Sequence, residues 1–171
     1  MVTTLSNPNP NSEYTTDNTN RSYLILEDGT TFVGEHFGYN TDVSTEIVFQ
    51  TGLVGYPESL TDPSYRNQIV VLTACMVGNY GVPPREFWES DRVQVVGLVI
   101  GELEREPSHH QSIMSLDEFL HEHKVPGISG VDTREIVKII REKGVMSARI
   151  VRDRTSVPQL LSMVNLAEQV S

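Results

Sequence analysis

Short apolar runs punctuated by turn residues dominate the first hundred positions, and longer apolar stripes with helical spacing follow. YLILEDGTTFVG (Tyr23 to Gly34) is two strand-like runs around Asp28-Gly29, where glycine tolerates the positive φ of a tight turn, so a β-hairpin is expected to start the fold. Further runs rich in β-branched residues at EIVFQ (Glu46 to Gln50), QIVVLT (Gln68 to Thr73), VQVVGLVI (Val93 to Ile100) and VMSARIV (Val145 to Val151) supply the other strands. Two helices carry capping signatures as well as periodicity. SLDEFLHEH has Ser115 as cap and Glu118 three residues on; DTREIVKIIREKG has Asp132 and Glu135 in the same relation. In the second, Ile136, Ile139 and Ile140 form an apolar stripe, and Gly144 stands where a C-terminal cap belongs. A weaker helical pattern, QLLSMV (Gln159 to Val164), follows Pro158.

Strands crowd the first part and helices the last, which is segregation rather than βαβ alternation. The expected fold class is therefore mixed α and β, a layered domain and not a doubly wound one. The opening MVTTLSNPNPNSEYTTDNTN is nearly all Asn, Thr, Ser and Pro and has little to bury, so residues 1–21 are expected to be a disordered tail and 22–171 a single domain. About 150 residues suffice for one core.

Charge narrows the choice of partners. With 23 acidic and 13 basic residues the formal net charge is -10, which repels a phosphate backbone; nucleic acid is not an expected partner. The longest apolar runs are too short to cross a bilayer, and the N-terminus lacks a signal-peptide pattern, so a cytoplasmic location is expected, with no membrane partner. One cysteine, Cys75, forms no internal disulfide, which fits a reducing compartment.

Few residues offer chemistry on their own. His109 and His110 are adjacent and diverge in any regular element, so a solvated loop is the simpler reading. His121 and His123 lie near a helix C-terminus, where an imidazolium meets the favourable end of the dipole, and capping outweighs ligation. His36 reads as a strand residue on the exposed polar face. Cys75, in LTACMVGNYG, lacks the closely flanking glycines of a nucleophile elbow and reads as a small core residue; an autonomous hydrolase needs it to converge with a histidine. The glycines of GNYG (Gly78 to Gly81) and TGLVGYP (Thr51 to Pro57) have turn spacing, not that of a phosphate-cradling loop. In TDPSY (Thr61 to Tyr65), Asp62 and Pro63 fix a turn that holds the Ser64 hydroxyl in a defined place, able to donate to a ligand carboxylate; on the residues alone a plain Asx-Pro turn is the better explanation.

LEDGTTFVGEHFG, TEIVFQTGLVGYPESLTDPSYRNQIVVLT, VGNYGVP and GISGVDTREIVKIIREKG, in this order, resemble the N-terminal domain of the carbamoyl-phosphate synthase small chain. The GNYGVP block and the closing AEQVS look more like the fused eukaryotic multifunctional proteins of pyrimidine synthesis than the bacterial stand-alone chains. The resemblance implies a layered β/β/α domain that precedes a glutamine amidotransferase domain with a Cys-His-Glu triad. Ammonia then passes to a synthetase partner that uses bicarbonate, ATP and Mg. No triad residue and no cofactor site is carried over to this chain, which stops where the family's amidotransferase domain would begin and so reads as part of a longer protein. One residue does carry over: Ser64, which by resemblance contributes to the L-glutamine site from across the domain boundary. The chain departs from the family pattern at Thr73-Ala74-Cys75, where typical members have Thr-Tyr-Pro, and in a shorter PPREFWES segment (Pro83 to Ser90). The implied function is the non-catalytic domain of a glutamine-hydrolysing carbamoyl-phosphate synthase, serving either pyrimidine or arginine synthesis, with the eukaryotic likeness favouring pyrimidine. The alternative is a stand-alone interaction module that has lost its amidotransferase half.

Overall fold

The computed structural model describes residues 20–52, 56–73, 86, 92–103 and 114–152. The first hairpin forms where expected. β1 (Arg21–Leu26) and β2 (Thr31–Gly38) pair antiparallel, with Leu24 opposite Phe32. Gly29 takes φ 89°, and the Asp28 carboxylate accepts the Thr30 N–H at 3.0 Å, an Asx turn that saturates the bend. β3 (Val43–Gln50), β4 (Ile69–Leu72), β5 (Gly97–Val99) and β7 (Met146–Val151) coincide with the other apolar runs. Their burial explains their composition. β4, with the sequence IVVL, is buried at all four positions: Ile69 and Val71 join one core and Val70 and Leu72 the other. A strand covered on both faces reads as continuous apolar sequence rather than as alternation.

The sheet closes on itself. With β6 formed by Pro126–Ser129, the strand order around it is β1-β2-β6-β5-β4-β3-β7, and β7 pairs antiparallel with both β1 and β3. β3, β4, β5 and β6 run parallel to one another, and β2 meets β6 antiparallel. This closed barrel of seven strands corrects the expected layered β/β/α architecture. Periodicity tells which face of a strand is buried but not which strand lies beside it, and closure depends on that second choice. β6 also went unrecognised, because Pro126-Gly127 reads as a turn. The glycine is demanded by packing: a Cβ on Gly127 would lie 2.5 Å from Cζ of the buried Phe37. The segregation of strands from helices fails for the same reason, with β6 and β7 interleaved among the helices and α1 (Tyr56–Thr61) lying between β3 and β4.

α2 (Leu116–Glu122) has both halves of its capping box, Glu118 N–H to Ser115 Oγ at 3.2 Å and Ser115 N–H to the Glu118 carboxylate at 3.2 Å. It buries Leu116, Phe119 and Leu120 against Phe37, Val70 and Leu98 on the outside of the barrel. α3 (Thr133–Lys143) is capped by Asp132, whose carboxylate accepts the Glu135 N–H at 3.1 Å. It ends at Gly144, φ 80°, whose N–H reaches the Ile140 carbonyl at 2.8 Å. Its apolar face is rotated from the expected stripe. Ile136, Val137 and Ile140 are buried with Leu24, Ile47, Val71, Ile128 and Ile150, whereas Ile139 packs at the margin, only partly buried. No helix among the described residues is long and apolar enough to cross a membrane. The stretch 1–19, Cys75, the GNYG glycines, His109, His110, nearly all of PPREFWES and the pattern at 159–164 lie outside the described residues.

Candidate functional site

The turn that carries Ser64 is fixed at both ends and at nearly every peptide between. Its near end is rooted in the core by Leu60 and Thr61, both fully buried, and the Leu60 carbonyl accepts the Gln94 N–H at 2.9 Å. Asp62 then caps a single 3-10 turn, Pro63–Tyr65, by accepting the Ser64 N–H at 2.9 Å. Pro63 occupies the first turn position, where its missing N–H costs nothing and its fixed φ suits the turn. Tyr65 donates to the Asp62 carbonyl at 3.1 Å and Arg66 to that of Pro63 at 3.2 Å. At the far end Asn67, φ 60°, donates to Gln94 O at 3.0 Å and accepts the Thr45 hydroxyl at 2.8 Å. The product is a stiff loop with Ser64 exposed near its crest. A hydroxyl so held has one proton to donate and two lone pairs to accept with, and its position costs little further entropy to fix.

The histidines take other places. His36 is buried, not on an exposed face. Its Nε2 lies 3.2 Å from the Gly38 carbonyl and must therefore donate, while Nδ1 is buried with no hydrogen-bond partner among the described residues. Burial, with the Arg152 charge adding to it, pushes this imidazole below its ordinary pKa against the opposing pull of the Gly38 carbonyl and Asp117. His123 caps α2 as expected, with Nδ1 2.9 Å from the Phe119 carbonyl and its ring against that of Phe119, 4.5 Å between centroids. His121 is exposed and meets Tyr39 edge-on at 5.6 Å. No group of three or more His, Cys, Asp or Glu among the described residues is placed to hold a metal ion.

Beside the Ser64 turn opens a pocket of about 250 Å³ that sequence reasoning missed. Arg66 and Asn67 from the turn, Arg92 from the segment before β5, and His123 and Lys124 from the end of α2 line it. Arg66, Arg92 and Lys124 come from three separate stretches of chain and form no basic run in the sequence; only the packing of α2 and the 92–96 segment against the turn unites them.

Residues 24–150 match the family model described as carbamoyl-phosphate synthase small chain, CPSase domain. The carbamoyl phosphate synthase small chain of Lactococcus lactis subsp. cremoris is 50% identical over 141 residues, covering 82% of this chain and 39% of that protein. That of Pyrococcus furiosus is 46% identical over 152 residues, covering 84% and 41%. The multifunctional protein CAD of Squalus acanthias is 49% identical over 140 residues, which cover 77% of this chain and 6% of CAD. This chain thus spans about two-fifths of the small chains it matches. Among solved structures, a peptidase M28 precursor from Shewanella amazonensis has a TM-score of 0.41 at 12% identity over 76% of this chain and 33% of that one, too slight a likeness to build on. With three quarters of its length matched to the family model and relatives near half identical, the chain belongs to the carbamoyl-phosphate synthase small-chain family.

Proposed function

We propose that this chain is the non-catalytic N-terminal domain, residues 22–171, of a glutamine-hydrolysing carbamoyl-phosphate synthase. In this reading it docks an amidotransferase domain against a synthetase and lends Ser64 to the binding of glutamine across the domain boundary. The observation that carries the reading is the rigid, exposed turn at Ser64 within a chain of this family. An exposed hydroxyl with a fixed position is suited to donate to the α-carboxylate of glutamine, a charge-assisted bond that contributes about 1.5–3 kcal/mol when shielded from bulk water. That carboxylate is remote from the amide being cleaved, so the bond holds ground and transition states alike and serves binding rather than chemistry. The thiolate that attacks glutamine, and the ATP and Mg sites of carbamoyl phosphate formation, belong in this reading to the partner domains. The same reasoning leaves the pathway served, pyrimidine or arginine synthesis, to those partners; the resemblance to the fused eukaryotic proteins favours pyrimidine.

The first test is direct. The purified chain is expected to release no ammonia from glutamine above the uncatalysed rate. Release that persists through purification and disappears in Cys75→Ala would replace this reading with an autonomous cysteine hydrolase.

A further inference from the structure

From Pro63 to Gln68 each main-chain donor of the Ser64 turn is already engaged within the protein. Pro63 has no N–H; Ser64 donates to the Asp62 carboxylate at 2.9 Å, Tyr65 to the Asp62 carbonyl at 3.1 Å and Arg66 to the Pro63 carbonyl at 3.2 Å. Asn67 and Gln68, which lead into β4, donate to the carbonyls of Gln94 and Tyr65 at 3.0 and 3.1 Å. What position 64 has left to donate is its exposed hydroxyl.

The direction of that hydroxyl depends on Asp62. The Asp62 N–H donates to the Ser59 carbonyl at 3.3 Å, its carbonyl accepts from Tyr65 and its carboxylate accepts from Ser64, so this one residue joins the buried foot of the turn to its crest. Ser59, Leu60 and Thr61, just before it, are all buried, and they give the carboxylate a fixed base. With φ -72° and ψ 122°, Asp62 is extended, and its side chain folds forward over the turn as an Asx cap. Of its three bonds, only the one made by the side chain ends on Ser64 itself. Without that acceptor the Ser64 N–H turns to water, and the peptide between Pro63 and Ser64 is free to rock, carrying the hydroxyl with it.

We propose that Asp62 is a positioning residue for glutamine: its carboxylate fixes the Ser64 peptide, and through it the aim of the hydroxyl, without touching the ligand. This rests on the reading of Ser64 given above and adds the residue on which that hydroxyl's direction depends. The position requires an acceptor and not a negative charge, because its partner is a neutral amide; a carboxamide oxygen in the same place serves as well.

The test is a double-mutant cycle in the enzyme assembled with its amidotransferase and synthetase parts, followed by steady-state kinetics with glutamine and separately with ammonia. Asp62→Ala is expected to raise KM for glutamine about fivefold, the equivalent of a lost cap, with kcat and ammonia-dependent synthesis near those of the parent. Asp62→Asn should keep KM near the parent value. In the Ser64→Ala background Asp62→Ala should raise KM no further, since the group it aims is gone. An unchanged KM in Asp62→Ala, equal effects of the Asn and Ala variants, additivity with Ser64→Ala, or a parallel fall in ammonia-dependent synthesis would each overturn the proposal. If Ser64→Ala itself left KM unchanged, the glutamine reading would fall and this proposal with it. If Ser64→Ala raised KM and Asp62→Ala did not, the reading of Ser64 would stand and the role of Asp62 alone would go.

Discussion

His36 pairs one ring nitrogen with the Gly38 carbonyl and buries the other without a partner among the described residues, so the folded protein favours the neutral Nε2–H tautomer. Its pKa is lowered from 6.5 by burial first and by Arg152 second. When the folded value lies below the unfolded one, the unfolded chain binds the proton more readily, so stability is full above the unfolded pKa and falls as pH drops through the folded value. Denaturant unfolding at pH 8 and pH 5 is expected to show a loss of stability on acidification that is smaller in His36→Asn. An equal loss in both proteins would remove His36 from the account. Local pattern carries no sign of this burial, since a polar residue in an alternating strand is read outward, and β2 turns inward at its end, where Phe37 and Gly38 meet α2. Gly127 was equally opaque. Its need for hydrogen in place of a side chain comes from Phe37, ninety positions earlier in the chain. Gly127→Ala is expected to destabilise by about 1–3 kcal/mol through overpacking, measured by thermal or denaturant unfolding. Unchanged stability would mean that the Phe37 ring yields freely.

At the scale of elements, what was legible was what is local. The caps at Ser115 and Asp132, the Asp28-Gly29 turn and the Gly144 terminus each depend on residues within a few positions, and each forms as read. α1 and β6 were missed because Tyr56-Pro57 and Pro126-Gly127 carry turn chemistry, and tertiary packing overrides that local signal. The face of α3 differs from the expected stripe by a fraction of a turn for a related reason: three isoleucines mark a stripe, but packing on the core buries Val137 beside Ile136 and Ile140 and leaves Ile139 at the margin. Ile136→Ala should cost about 2–5 kcal/mol, the transfer energy plus the cavity left in the core. Ile139→Ala should cost clearly less, because its side chain is only partly withdrawn from water. Equal losses in equilibrium unfolding would restore the stripe as first read.

For the whole molecule, the sequence disclosed its family through long ordered blocks but not its architecture. Closure of the barrel rests on β7 joining both β1 and β3, pairings that bring positions near 150 to positions near 24 and 43. No pattern along the chain announces so distant a partner. The Ser64 turn was legible because Asp62 and Pro63 act on their immediate neighbours, whereas the basic pocket beside it, assembled from three distant stretches, was not. The decisive measurement is steady-state kinetics of Ser64→Ala in the enzyme assembled with its amidotransferase and synthetase parts. With glutamine as nitrogen donor, KM should rise about 10-fold or more and kcat should stay near that of the parent, because the lost bond is uniform between ground and transition states. Ammonia-dependent synthesis, which bypasses the glutamine site, should not change. Unaltered glutamine kinetics would contradict the role given to Ser64, and a fall in ammonia-dependent activity would show that this turn supports the domain interface instead of the ligand.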